Sequence, residues 1–221
     1  MKLRTLYTAR DIELAVHRLA EEISRDLTSL LPAPDAGDSP GKGKKDDRRS
    51  GSTASATGLT PYPEVVGLRG GARATIEPTF SFERPLLVGL LKGTFMFLAD
   101  LARSMRIPVD IDFMRARRSP DSAGGTSVEF EYEPQHSLEG RTVVVVEDVA
   151  GTGRTLPSVL ARLEAHNPRT IRVCALVRRR GYSGPTIDYV GFNVGPGWLV
   201  GYGLDDREAL RNLPCLCVLE D

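Results

Sequence analysis

Cysteine, net charge and long apolar runs are all scarce in this 221-residue chain. Its three cysteines, Cys174, Cys215 and Cys217, form no regular framework, which argues against a disulfide-stapled secreted domain. The 29 basic and 29 acidic residues cancel, which argues against broad nucleic-acid binding and against a polybasic membrane anchor. No apolar run is long enough to span a membrane, and the N-terminus lacks the apolar core of a signal peptide. We therefore expect a cytoplasmic protein without nucleic-acid or membrane partners.

The pair Cys215-Leu-Cys217 has two interpretations. A metal half-site would need a second pair of ligands with matching spacing, and the sequence contains none. The surrounding segment from Pro214 to Leu219 is mostly apolar and indicates a buried terminal strand, which is the stronger interpretation.

Composition divides the chain into three regions. Residues 1-31 contain an amphipathic helix, where Thr8 and Asp11 resemble a capping box and Pro32 ends the helical pattern. Residues 32-84 form a low-complexity insertion, predicted to be partly disordered because its first half has too little apolar surface to offset the entropy of ordering. Residues 85-221 alternate strands with helices, which indicates an α/β fold with a mainly parallel sheet, and Ser119 to Thr126 is a predicted loop.

The strongest functional pattern runs from Val143 to Leu156. Four consecutive valines predict a strand buried on both faces. The turn Gly151-Thr-Gly-Arg-Thr155 then directs backbone N–H groups, two hydroxyls and a helix N-terminus toward one phosphate. Glu147 and Asp148 follow the strand, where α/β sheets place their ligands, and they suit a ribose diol or a hydrated Mg²⁺.

Three other interpretations of this segment are weaker. A Walker loop is excluded by the missing Gly-Lys-Thr spacing. A dinucleotide-binding loop is disfavoured because the acids precede the glycines. A generic strand, turn and helix with surface acids stays open, but it does not account for four valines that lead into Glu-Asp and then Gly-Thr-Gly.

The segment resembles the phosphoribosyl-pyrophosphate signature of type I phosphoribosyltransferases, in particular the hypoxanthine-guanine branch. Leu86 to Asp100 is similar to that branch's first strand, its Leu-Lys-Gly loop and the following helix. Asp188 to Phe192, Trp198 to Asp205 and Arg211 to Pro214 are similar to its C-terminal hood and tail. The resemblance implies an α/β fold with a mainly parallel central sheet flanked by helices, and a small hood formed from the C-terminal strands and the N-terminal segment.

The activity that the resemblance implies is purine salvage. The 5-phosphoribosyl group of phosphoribosyl pyrophosphate would pass to a 6-oxopurine, hypoxanthine or guanine, and give IMP or GMP. Mg²⁺ is the implied cofactor. The implied partners are phosphoribosyl pyrophosphate, the purine base, the nucleoside monophosphate and further copies of the chain, as a dimer or tetramer.

The same resemblance implies roles for individual residues. The 5′-phosphate would be held by Gly151, Thr152, Gly153, Arg154 and Thr155. Pyrophosphate would be held by Lys92, Gly93 and Arg211, with a strained non-proline peptide at Leu91-Lys92. Glu147 and Asp148 would hold the ribose hydroxyls and, with Asp205, the Mg²⁺. The purine would stack on Trp198, be read by the backbone of Leu199 and receive a hydrogen bond from Arg179. The implied catalytic set is Lys92, Glu147, Asp148 and Arg179.

Trp198 has a second interpretation, as a buried core residue, but its neighbours Pro196 and Gly197 favour an exposed loop edge.

Three departures from the family pattern point to weaker chemistry. Gly151 stands where the family has an aspartate that acts as the general acid or base, a role typically worth about 10²–10⁴ in rate. The stretch Arg117-Arg118-Ser119-Pro120 stands where the mobile loop carries Ser-Tyr, and Asp121 is the residue that would compensate by closing inward. Arg179 replaces a lysine. We therefore predict an enzyme with reduced activity; the alternative is a non-catalytic homologue that binds purine nucleotide or phosphoribosyl pyrophosphate in a regulatory or assembly role.

Overall fold

The computed structural model describes residues 2–30, 84–120 and 126–220. Most of the predicted insertion 32-84, and Asp121, lie outside these residues. The described elements are β1 (Lys2–Tyr7), α1 (Ala9–Leu30), β2 (Leu86–Leu90), α2 (Phe95–Ser104), β3 (Asp110–Pro120), β4 (Thr126–Tyr132), β5 (Thr142–Ala150), α3 (Leu156–Glu164), β6 (Thr170–Arg179), β7 (Tyr189–Val194), β8 (Trp198–Val200) and β9 (Leu216–Glu220).

A six-stranded sheet in the order β4-β3-β2-β5-β6-β7 forms the centre of the fold. All neighbouring strands are parallel except β3 and β4. Val143 and Val145 of β5 pack with α3, whereas Val144 and Val146 pack with α1 and α2, and all four are fully buried. Burial of one such side chain stabilises the fold by about 1.5–3 kcal/mol. The prediction of a strand buried on both faces is confirmed.

A smaller antiparallel sheet, β1-β9-β8, joins the two ends of the chain. Lys2 pairs with Glu220, and Trp198 pairs with Leu219. The predicted hood is confirmed, and Cys217 lies in β9 as the strand interpretation requires. The N-terminal segment joins the hood through β1, as the resemblance implied. One detail of the prediction was wrong, because β7, which was assigned to the hood, extends the main sheet beside β6.

Helix α1 begins as its sequence predicts. The Thr8 backbone N–H donates to Asp11 Oδ2 (2.8 Å) and the Asp11 N–H donates to Thr8 Oγ1 (3.2 Å), which is a reciprocal capping box. The helix buries one face against α2 and β7, including Leu19, Ile23 and Leu27. In the described part of the chain, no helix combines the length and the apolar character that a membrane crossing requires.

The loop predicted from Ser119 to Thr126 is wrong at both ends, and residues 121–125 lie outside the described residues. Arg117, Arg118, Ser119 and Pro120 belong to β3 and pair with β4, ending at Pro120 opposite Thr126. The loop was predicted because this stretch is rich in Ser, Pro, Asp and Gly, but pairing with β4 keeps Ser119 and Pro120 extended.

Candidate active site

The predicted phosphate loop, residues 151–155, links the end of the central strand β5 to the start of α3. Thr155 stands at the N-cap of α3, its hydroxyl makes no capping hydrogen bond, and the first turn of α3 has no acidic residue. The positive end of the helix is therefore not compensated by a local carboxylate. Pro157 lies in the first turn, where its missing N–H costs no helical hydrogen bond.

Gly153 allows this loop to pack against the segment that follows β6. Its φ is +71°, and a Cβ built on it would lie 2.4 Å from Gly184 Cα and 3.1 Å from the ring of Tyr182. Tyr182 closes its own turn by donating from its hydroxyl to the Pro185 carbonyl (2.8 Å). Only glycine fits at position 153, because both the conformation and the close contact exclude a side chain.

Glu147 and Asp148 lie half-buried at the carboxyl end of β5. Burial, with the neighbouring charge of Asp148, raises the pKa of Glu147 to about 8. Burial also raises the pKa of Asp148, whose Oδ1 accepts a hydrogen bond from the Val149 N–H (2.7 Å). Glu147 Oε2 is buried and has no hydrogen-bond partner among the described residues. Such an atom fits a ligand that supplies hydroxyl groups or a cation.

The loop after β2 contacts the same carboxylates. The Leu91–Lys92 peptide bond is cis, which is the strained non-proline peptide that the family resemblance implied. A Cβ on Gly93 would lie 1.7 Å from Asp148 Oδ2, so only glycine fits beside that carboxylate. Gly203, in the hood, is equally close to Gly93, with a hypothetical Cβ 2.0 Å from the Gly93 carbonyl oxygen. The structure thus brings Gly93, Asp148 and the hood into contact.

Lys92 and Arg211 lie on either side of one acid. Lys92 Nζ is 3.0 Å from Glu208 Oε1, and Arg211 Nη2 is 3.1 Å from Glu208 Oε2. Arg211 also contacts Asp205 Oδ1 (2.8 Å) and donates to the Gly203 carbonyl (2.7 Å). The two cations predicted to hold pyrophosphate are therefore neighbours, linked by Glu208.

Trp198 is 61% exposed at the start of β8. Its Nε1–H donates to the Asp205 carbonyl (3.0 Å), and Leu199 behind it is buried. The interpretation of Trp198 as a core residue is wrong, because the ring lies at the surface as the loop-edge interpretation predicted.

Arg179, the last residue of β6, contacts the loop that leads to Trp198. Its guanidinium donates to the carbonyls of Gly195 (2.6 Å) and Gly197 (2.5 Å). Burial of this guanidinium lowers the pKa of Arg179. Two of its five N–H donors are thus bonded to backbone carbonyls. The planar guanidinium of arginine can hold two carbonyls at once, whereas the ammonium of lysine is a single point charge.

Within residues 2–30, 84–120 and 126–220, no three metal-capable side chains cluster together. Asp205 directs Oδ1 at Arg211 and Oδ2 at the Glu208 N–H (2.8 Å), so its carboxylate is already bonded to protein groups. A Mg²⁺ ion takes only one or two protein carboxylates and completes its shell with water and substrate oxygens. The donor set fits Mg²⁺ on those terms, with Glu147 Oε2 as the carboxylate oxygen that no protein group satisfies among the described residues.

Two residues of this site were missed by sequence reasoning. Glu208 lies between the two matched positions Asp205 and Arg211, and a charged residue in a polar turn carries no signal of its own. Tyr182 contacts the phosphate loop from a turn that shows no spacing relation to it. The Gly-rich segment around Gly181 and Gly184 was the available hint, since glycines mark close backbone approach.

The chain is similar to known phosphoribosyltransferases in sequence. Residues 67–207 match the phosphoribosyl transferase domain family. The chain is 36% identical to a hypoxanthine-guanine phosphoribosyltransferase of Aquifex aeolicus over 152 residues, which cover 66% of this chain and 84% of the relative. It is also 36% identical to the Mycobacterium avium enzyme of that name over 138 residues, which cover 61% and 68%.

Solved structures agree on the fold. A hypoxanthine-guanine phosphoribosyltransferase of Bacillus anthracis superposes with a TM-score of 0.69 at 25% identity, covering 98% of each chain. A Trypanosoma cruzi hypoxanthine phosphoribosyl transferase gives a TM-score of 0.70 at 24% identity, covering 98% of this chain and 91% of its own. The phosphate loop after β5, the acids before it and the family match over residues 67–207 agree, and the chain belongs to the phosphoribosyl transferase domain family.

Proposed function

We propose that the chain transfers the 5-phosphoribosyl group from phosphoribosyl pyrophosphate to a 6-oxopurine, hypoxanthine or guanine, and forms IMP or GMP in purine salvage. The contact of Gly93 with Asp148 carries the proposal. It joins the phosphate loop and its acids to the Lys92 loop, so that one ligand with a phosphate at one end and a pyrophosphate at the other can span both. The names of the sequence relatives support the choice of base.

The reaction needs one bond to break and one to form at the ribose C1′. The bond from C1′ to the pyrophosphate oxygen breaks, the bond from C1′ to a purine nitrogen forms, and the purine proton passes to the leaving pyrophosphate or to water. Lys92 and Arg211 would stabilise the negative charge of the leaving pyrophosphate. Residues 151–155 would hold the 5′-phosphate and Trp198 would hold the base, so catalysis would depend mainly on the positioning of the two substrates relative to each other.

Glu147 and Asp148 would hold the ribose hydroxyls at the carboxyl end of β5. Asp205 would complete the group that holds Mg²⁺, through water or substrate oxygens. Mg²⁺ supplies positive charge to the pyrophosphate when it is bound. Gly151 provides no side chain to accept the purine proton, so we propose that this step is slow.

Arg179 would place the base rather than only donate to it. Its hydrogen bonds to Gly195 and Gly197 hold the backbone on which Trp198 stands. The guanidinium keeps further N–H donors for the purine carbonyl. Leu199, next in the strand, would offer its backbone to the purine edge.

The proposal is tested by turnover of hypoxanthine, guanine and xanthine with phosphoribosyl pyrophosphate and Mg²⁺, with adenine as a base that lacks the 6-oxo group. We expect a nucleoside monophosphate from hypoxanthine or guanine and none from adenine. No product above background with any base, in a protein that still binds purine nucleotide, would replace the proposal with a non-catalytic binding role.

We also propose that the protein is a homo-oligomer, a dimer or tetramer, as the family resemblance implies. Light scattering coupled to size-exclusion chromatography tests this directly, and a monomer at micromolar concentration would contradict it.

A further inference from the structure

Glu208 connects the two cations that the proposed function assigns to pyrophosphate. Each carboxylate oxygen faces a different cation, Oε1 at 3.0 Å from Lys92 Nζ and Oε2 at 3.1 Å from Arg211 Nη2. A bound pyrophosphate would also be an anion with several oxygens, held between the same ammonium and guanidinium. The carboxylate therefore makes, within the chain, the contacts that the ligand would make.

The turn that carries Glu208 is held in an unusual conformation. Arg207 (φ 51°), Glu208 (φ 67°) and Leu210 (φ 72°) all lie in the left-handed region, which side chains other than glycine rarely adopt. Backbone hydrogen bonds between Asp206 and Ala209 (2.9 and 3.1 Å) close the turn. The Glu208 N–H donates to Asp205 Oδ2 (2.8 Å), and this bond holds the start of the turn in place. Strain of this kind persists where the surrounding contacts over-determine the backbone, and it concentrates at functional sites.

The contacts of Glu208 are suited to exchange. Its side chain is 65% exposed and that of Lys92 is 48% exposed, whereas Arg211 is largely covered. Exposed ion pairs contribute little to stability because water and salt screen them. A pyrophosphate carries more charge than one carboxylate and offers more acceptor oxygens to both cations, so it can displace Glu208.

We propose that Glu208 occupies the place between Lys92 and Arg211 in the ligand-free protein, competes there with pyrophosphate, and thereby sets the affinity for pyrophosphate. This inference rests on the proposed function, because it takes the same two cations as the pyrophosphate site. The carboxylate returns to the cations as pyrophosphate leaves, and so promotes product release, a step that often limits turnover. Glu208 is in this sense an affinity-determining residue.

The test compares Glu208→Gln with Asp206→Asn. Both variants remove one negative charge from the same turn, but in the described part of the chain neither cation pairs with the Asp206 carboxylate. Titration calorimetry with inorganic pyrophosphate and Mg²⁺ gives the dissociation constant for each protein. We expect Glu208→Gln to bind about 3- to 10-fold more tightly than wild type, because it loses one exposed ion pair with Lys92 and one with the largely covered Arg211. We expect Asp206→Asn to match wild type.

Several results would overturn the inference. Equal affinity of Glu208→Gln and wild type would show that the carboxylate does not compete. Weaker binding by Glu208→Gln would show that Glu208 instead arranges the two cations for the ligand. An equal gain in both variants would reduce the effect to the total charge of the turn.

The outcome is separable from that of the proposed function, since pyrophosphate binding is measured without a purine. Tighter binding by Glu208→Gln in a protein that turns over no base would contradict the proposed function and support this inference. If the protein does convert a purine base to a nucleotide, we expect a second result. When pyrophosphate is varied as a product inhibitor, its inhibition constant should fall in Glu208→Gln by the same factor as its dissociation constant, and an unchanged inhibition constant would contradict the inference.

Discussion

Replacement of Gly151 by aspartate should raise kcat. The site has room for the side chain, because a Cβ built on Gly151 meets no heavy atom within 4 Å. Its φ lies outside the left-handed region, so a residue with a side chain fits the backbone without strain. The new carboxylate would stand at the first position of the phosphate loop, between the acids of β5 and the N-terminus of α3.

The expected size of the effect follows from the chemistry of a single proton transfer. A positioned acid or base contributes about 10²–10⁴ in rate. An aspartate introduced into an existing loop lacks the neighbours that would orient it, and a misplacement of about 1 Å can cost about 10². We therefore expect kcat to rise about 10- to 100-fold, equivalent to about 1.4–2.7 kcal/mol of activation free energy.

The assay is initial rate at saturating phosphoribosyl pyrophosphate, hypoxanthine and Mg²⁺. Gly151→Asn is the matched control, since it has nearly the same volume and no basic carboxylate, and Gly151→Ala controls for the loss of glycine. A kcat for Gly151→Asp at or below that of Gly151→Asn would refute the reasoning that position 151 lacks a base.

Three further changes test other parts of the site. In Glu147→Gln the melting temperature should depend less on pH. Burial and Asp148 raise the pKa of Glu147 from 4.5 to about 8, so the stability it contributes below pH 4.5 is lost as pH rises to 8. Calorimetry should show wild type losing about 1–2 kcal/mol more than the variant over that range, after allowance for partial solvent access; parallel curves would contradict this. Trp198→Ala should raise KM for the base roughly 10-fold, the loss of one stacking contact, while Trp198→Phe keeps most of the affinity. The melting temperature of Trp198→Ala should stay near that of wild type because the ring is 61% exposed, and an unchanged KM would exclude stacking. Gly93→Ala should lower kcat/KM at least about 100-fold, since its Cβ would overlap Asp148 Oδ2, whereas Gly151→Ala should stay near wild type; equal activity in both would contradict the close contact.

The central strand and its loop were predictable because their signals are local. Four valines in a row exclude a half-exposed strand, and both faces of β5 are buried accordingly. Thr8 and Asp11, three residues apart, predicted the helix start, and the structure shows both reciprocal hydrogen bonds. The resemblance to a known family supplied the rest of the order of elements, including the cis peptide at Leu91–Lys92.

Features that depend on distant pairing were not predictable. Lys2 pairs with Glu220, at the other end of the chain, and no local sequence pattern in β1 indicates that pairing. Ser119 and Pro120 read as loop residues and lie in a strand, because their pairing with β4 rather than burial keeps them extended.

Contacts between residues of the site also could not be predicted from the sequence. The type of residue at position 179 indicated a donor, but its bonds to Gly195 and Gly197 follow from the path of a loop 16 to 18 residues away. The place of Glu208 follows from left-handed backbone at three residues that carry side chains, which sequence propensities disfavour.

The most direct measurement of the central claim is the stoichiometry of the wild-type reaction. Protein, Mg²⁺, phosphoribosyl pyrophosphate and hypoxanthine or guanine are incubated together, and nucleoside monophosphate and pyrophosphate are both quantified. We expect equal amounts of the two products, formed only when both substrates are present. Pyrophosphate released without nucleotide, or neither product from either base, would contradict it.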